Sequence, residues 1–150
     1  MARHRELLVV IADGEHARFL RWGEGVPRAE RAFDSSAAHA RSSELVSDRP
    51  GASFHSGASA RHAAEPRHDP HALAKEAFAR LVAHEIGVAA ASGSYDGVVL
   101  AAPARVLNTI RAGLDAAAAE CIVGMLRKDL VKVPDAELEA HLRAVRLKPA

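Results

Sequence analysis

The chain has 150 residues, 49% of them apolar and only 4% aromatic, with a formal net charge of +1. That length suits one domain with a core of its own, and the near-neutral charge excludes a general polycation, so nucleic-acid binding requires a local patch. A single cysteine, Cys121, excludes an intrachain disulfide and reads as a small hydrophobe, and no apolar run reaches the ~18 residues of a membrane span.

Residues 7–12 form an uninterrupted apolar run ending at Asp13-Gly14. It is too short for a signal-peptide core and reads as a buried central strand followed by a turn. A second strand is expected from Ala17 to Trp22, where Ala17 and Phe19 alternate with Arg18 and Arg21, and a third over residues 29–33. Short turns between them make an antiparallel meander.

The next regular element opens at Asp69-Pro70, an N-cap followed by a proline at the first helical position. Phe78, Leu81, Val82, Ile86 and Ala89 then share one face, and Ser92-Gly93 ends the helix. Glu85 lies at the edge of that face, where it needs water or a partner. Residues 98–102 are a second buried strand, and Pro103 starts a helix with Leu107, Ile110 and Leu114 inward. Residues 122–126 read as a strand, and Pro134-Asp135 opens a last helix with Leu138, Leu142 and Val145 inward. The order β-β-β-loop-α-β-α-β-α predicts a mixed five-stranded sheet with three helices in one α/β domain over residues 1–150. The strand-helix-strand unit implies a right-handed parallel crossover. The first strand is expected inside the sheet, antiparallel to the second and parallel to the strand at 98–102, because both runs are apolar on both faces.

Residues 47–71, within a long connection at about 36–69, show neither a strand nor a helix period. Gly, Pro and Ser punctuate the stretch, yet it holds Arg49, Arg61, Arg67, four of the nine histidines and Phe54. A connection this long inside a domain is characteristically functional or disordered. The arginines suit phosphate or carboxylate, which guanidinium grips bidentately; the alternative is pairing with Asp48, Glu65 and Asp69. His62, His68, Asp69 and His71 invite a metal reading, but no cysteine pair or HExxH accompanies them, and loop hydrogen bonding is the simpler role. Asp48, Ser53 and His55 supply the letters of a triad without a nucleophile-turn motif. Asp13 and Arg105 follow strand ends, where open sheets bind ligands; the plainer roles are a turn aspartate and a solvated helix-start arginine. Lys128-Asp129 reads most simply as an ion-paired strand exit. Phe54 is expected to pin the loop, with Arg49, Arg61 and His62 facing a cleft near Asp13 or Arg105.

Several co-linear motifs carry a resemblance across nearly the whole chain. They are Val10-Ile11-Ala12-Asp13-Gly14 with Ala17-Arg18, Ser47-Asp48-Arg49-Pro50-Gly51 with Ser53-Phe54, and Arg61-His62-Ala63 with Glu65-Pro66. Further on come Asp69-Pro70-His71, Phe78-Ala79, Tyr95-Asp96-Gly97-Val98-Val99-Leu100, Ala102-Pro103-Ala104-Arg105-Val106-Leu107 and Lys128-Asp129-Leu130. The chain resembles the bacterial host-attachment proteins, departing at Ala104, where a second proline is expected. The resemblance implies a fold like the middle domain of archaeal and eukaryotic release factors and of Pelota, an RNase H-like arrangement. In those proteins the loop after the third strand carries Gly-Gly-Gln. Here the corresponding loop has no Gly-Gly pair, and the whole chain has no glutamine.

The expected function is a cytoplasmic binding module without release-factor catalysis, a cofactor or a membrane partner. Its expected contacts are Arg49, Ser53, Arg61, His62 and His71 on the loop and Asp13, Arg105 and Lys128 at the strand ends. RNA, the ribosome or an anionic small molecule is the expected partner. The alternatives are a hydrolase using the loop histidines, with or without metal, and an attachment factor at the cell surface.

Overall fold

The computed structural model describes residues 5–36 and 70–149. Five strands, β1 (Leu7–Ala12), β2 (His16–Trp22), β3 (Arg28–Asp34), β4 (Gly97–Ala101) and β5 (Ile122–Leu126), form one sheet in the order β3-β2-β1-β4-β5. β1 pairs antiparallel with β2 and parallel with β4, as its continuous apolar run requires. β3 is one residue longer at each end than expected.

Alternation along β1 and β4 divides the core between two sheet faces. Leu8, Val10, Val98 and Leu100 point to one face, where α1 (Pro70–Ala91) and α2 (Ala104–Gly113) bury Phe78, Val82, Ile86, Leu107 and Ile110. Leu7, Val9, Ile11, Val99 and Ala101 point to the other, beneath Leu138 and Leu142 of α4 (Asp135–Arg143). The two layers on the sheet are thus helical on both sides, which explains why β1 has no polar alternation.

The count of three helices is corrected among the described residues by a short α3 (Ala116–Glu120). The helix from Pro103 was expected to carry Leu114 inward, but it stops at Gly113. Leu114 is extended (φ −81°, ψ 141°), and Asp115 then caps α3 by accepting from the Ala118 N–H at 2.7 Å. An aspartate side chain supplies an N-cap more readily than it continues a helix interior. Glu85 finds its partner in Arg31, 3.3 Å away on β3.

The β2–β3 register shifts between Phe19 and Leu20, so Glu30 becomes the extra residue of a bulge. Glu30 accepts from the Tyr95 hydroxyl and lies 3.4 Å from Arg21, whose guanidinium sits 4.4 Å from the Tyr95 ring centre. The Tyr95 hydrogen bond, reinforced by Arg21, holds the Glu30 carboxyl below its ordinary range. A lowered folded-state value stabilises the fold above the ordinary carboxylate range, and that contribution is lost as pH falls through the lowered value. Tyr95→Phe is therefore expected to cost about 0.5 kcal/mol near neutrality, given the group's partial exposure. Urea titrations should show the difference from wild type shrinking in acid; a difference that grows there refutes the assignment.

Candidate functional site

β1 and β4 are parallel neighbours, so their C-terminal ends open on the same edge of the sheet. From that edge the β1 chain turns back into β2 while the β4 chain continues into α2, a divergence that leaves a crevice between the connections. α1 also begins there, because it runs opposite to the β4 strand it precedes. The resulting cleft, about 520 Å³, is bounded by Gly14 of the β1–β2 turn, His71 and Lys75 of α1, and Pro103, Arg105 and Thr109 at the start of α2.

Each wall has a local cause. Pro103 precedes α2 with an extended backbone (ψ 151°) and, as a proline, gives the helix no side-chain cap. Among the described residues no side chain accepts from the first N–H groups of α2, and the N-terminal dipole favours negative charge. Gly14 makes room for Lys75: a Cβ at this position would lie 2.9 Å from Lys75 Cγ and 3.0 Å from Cδ. The lysine stem lies against the turn, leaving its ammonium group at the cleft. The cleft also contains Glu76, but Arg80 holds that carboxylate at 2.6 Å. Lys75 and Arg105 have no acidic partner among the described residues.

Of the residues expected at the site, Arg105 and His71 do line this cleft. Asp13 is adjacent in sequence but serves the turn: its Oδ1 accepts from the N–H groups of Glu15 (2.7 Å) and His16 (2.6 Å). That is an Asx-type turn, the plainer of the two roles considered for it. Lys128 follows β5 on the same sheet edge but does not line the cleft. The expected Lys128–Asp129 ion pair is absent among the described residues; Asp129 instead accepts from the Val131 N–H at 3.2 Å. A short acidic side chain reaches its own downstream backbone more easily than it holds a neighbouring lysine in one geometry. Arg49, Ser53, Phe54, Arg61, His62, His68 and Asp69 lie outside the described residues. Lys75 was missed from the sequence, although its i, i+4 spacing from His71 places both on one side of α1.

The fold and this edge define a class: an α/β domain, helices on both sheet faces, with a cationic cleft beyond the carboxyl ends of parallel strands. The chain belongs to the family described as "Protein required for attachment to host cells", whose model matches residues 8–142. No match is found among curated proteins.

Proposed function

We propose that the protein is a cytoplasmic binding module that takes a phosphate-bearing ligand, RNA foremost, in the cleft between the starts of α1 and α2. The observation that carries this reading is the convergence of Lys75, Arg105 and the start of α2 on one cleft, with no acid among the described residues paired to either cation. Ammonium and guanidinium groups together with backbone N–H donors match the multiple acceptor oxygens of a phosphate. The strand order β3-β2-β1-β4-β5, with β2 reversed, supports the likeness to the RNase H-like middle domain of release factors. Without Gly-Gly-Gln, this reading excludes peptide release: glycines permit a close backbone approach to the ester, and between Gly51 and Gly57 the sequence has no amide side chain to position water. The family's description speaks of a requirement for attachment, which a protein acting inside the cell also meets.

Fluorescence anisotropy with a labelled single-stranded RNA dodecamer, paired with ribosome cosedimentation, tests the proposal. The double variant Lys75→Glu/Arg105→Glu is expected to bind the RNA at least about tenfold more weakly, and wild-type affinity is expected to fall with added salt. Inorganic pyrophosphate should compete if a phosphate is the group held. Absence of wild-type binding to RNA, or equal binding by the double variant, overturns the reading. Release of labelled peptide from stalled ribosome complexes by the wild type would overturn its non-catalytic part.

A further inference from the structure

α2 separates the anion cleft from a second groove. Leu107 and Ile110 are buried beneath the helix, while Arg105, Asn108, Arg111 and Ala112 are exposed. Helical spacing sorts the outer residues to two flanks. Arg105 and Thr109 stand on the flank that closes the anion cleft, and Asn108, Arg111 and Ala112 on the flank beside β5. There a groove of about 590 Å³ has Leu114, Ile122 and Met125 as apolar surface and Arg111, Arg146 and Lys148 as its charges. No acid lines it, and none of the three cations has an acidic partner among the described residues.

The segment that follows α4 completes this groove. It lies along β5: the Lys148 N–H donates to the Val123 carbonyl at 2.7 Å, and Arg5 Nη1 holds the Lys148 carbonyl at 3.0 Å. Gly124 permits that approach, since a Cβ there would lie 2.8 Å from Val145 Cγ1 and 2.9 Å from Leu147 Cδ2. Val145 and Leu147 pack against the core on the α4 side of the sheet. The alternate residues, Arg146 and Lys148, are exposed and line the groove. The backbone contacts thus fix two cations in the same groove as Arg111.

Resting on the reading of the anion cleft as an RNA site, we infer that a bound single strand crosses the exposed face of α2 and continues into this second groove. Unpaired cations lie on both flanks of a helix ~10–12 Å across with its side chains, so one phosphate does not reach both. Lys75 and Arg105 hold one phosphate, and Arg111, Arg146 and Lys148 hold phosphates further along the strand. Asn108, on the ridge between the two grooves, offers an amide donor and acceptor to a base edge. The guanidinium planes of Arg111 and Arg146, with Leu114 and Met125, suit an unstacked base. A mononucleotide would fill one groove and gain nothing from the other.

The probes are a fluorescein-labelled uridine dodecamer and the corresponding dinucleotide, read by anisotropy. Wild type is expected to bind one dodecamer per chain, at least about tenfold more tightly than the dinucleotide, because one strand links two sets of contacts. Arg111→Gln/Arg146→Gln is expected to weaken dodecamer binding at least about fivefold. It should also lower the slope of log affinity against log salt by about 1.4, at ~0.7 per phosphate contact. Dinucleotide binding should stay within about twofold, as expected for a separate set of contacts. Arg28→Gln/Lys132→Gln removes the same charge away from α2 and should leave dodecamer binding within about twofold, since remote charges are screened. All four side chains are exposed, and thermal melts establish that the variants fold. Lys75→Glu/Arg105→Glu separates this inference from the reading beneath it. If that cleft variant weakens dodecamer binding and the groove variant does so no more than the remote pair, the crossing strand is refuted and the cleft reading stands. Two dodecamers per chain would also refute it, because the grooves would then act independently. No wild-type binding, or a loss in the groove variant alone, overturns both.

Discussion

Replacing Phe78 with alanine is expected to lower the unfolding free energy by about 3–5 kcal/mol, the range for an aromatic side chain removed from a close-packed core. Phe78 is fully buried and meets the Phe33 ring edge-on, with centroids 5.8 Å apart. Phe33 in turn lies 5.6 Å from Phe19. Three of the four phenylalanines thus form one chain of contacts from α1 through β3 to β2. The contact matters beyond its own area because β3 is otherwise exposed along its length; Phe33 is its only partly buried residue. Losing Phe78 therefore leaves a cavity and loosens the attachment of β3 to the helix. For a chain of this length the melting temperature should fall by roughly 6–20 °C. Phe78→Leu, which fills most of the volume, should cost about 1.5 kcal/mol or less. Urea denaturation of both variants checks the pair, and a loss below about 1 kcal/mol in Phe78→Ala would contradict this account of the core.

Arg18→Ala should be the most damaging polar substitution, at about 2–4 kcal/mol. The Arg18 guanidinium donates to the carbonyls of Leu130 (3.2 Å), Val131 (3.1 Å) and Val133 (2.7 Å) and to the Asp135 carboxylate. Those carbonyls belong to the irregular connection between β5 and α4; the Leu130 carbonyl also accepts from the Val133 N–H at 3.0 Å, whereas Arg18 is the partner recorded for those of Val131 and Val133 among the described residues. The same contact ties the first residue of α4 to β2, so it helps seat the helix covering Leu7, Val9 and Ile11. Arg18→Lys is expected to recover less than half the loss, because Nη1 meets the three carbonyls while Nη2 holds the Asp135 carboxylate, and one ammonium centre does not occupy both positions. Hydrogen exchange adds a local readout: amides at residues 130–135 should become less protected while those of β1 remain slow. If Arg18→Ala stays within about 0.5 kcal/mol of wild type, the connection is held by something other than this side chain.

Much of the scaffold was legible because its signals are local. The apolar runs of β1 and β4 have no polar alternation, and only strands covered on both faces tolerate that. Prolines at positions 70, 103 and 134 mark three helix starts, since a residue without an N–H belongs where no intrahelical bond is made. The break after α2 was less legible. An alanine-rich run with a correctly spaced Leu114 fits a longer helix, and the extended Leu114 backbone followed by the Asp115 cap overrides that local preference.

By itself, the sequence determined the strand order, the three longer described helices, the buried position of β1 and the polarity of its pairing, because these follow from hydrophobic period and backbone chemistry. It also marked His71 and Arg105 as residues near the start of a helix. Only the tertiary structure decided that they share a cleft with Lys75, whose stem crosses the Gly14 turn, while Asp13 is spent on that turn. It likewise decided that Arg18 turns toward the carbonyls before α4 and that Arg111 and Arg146 share a groove beside β5. The physical reason is that period and propensity act over a few neighbouring residues. A cleft or an ion pair depends on which distant segments the folded sheet brings together.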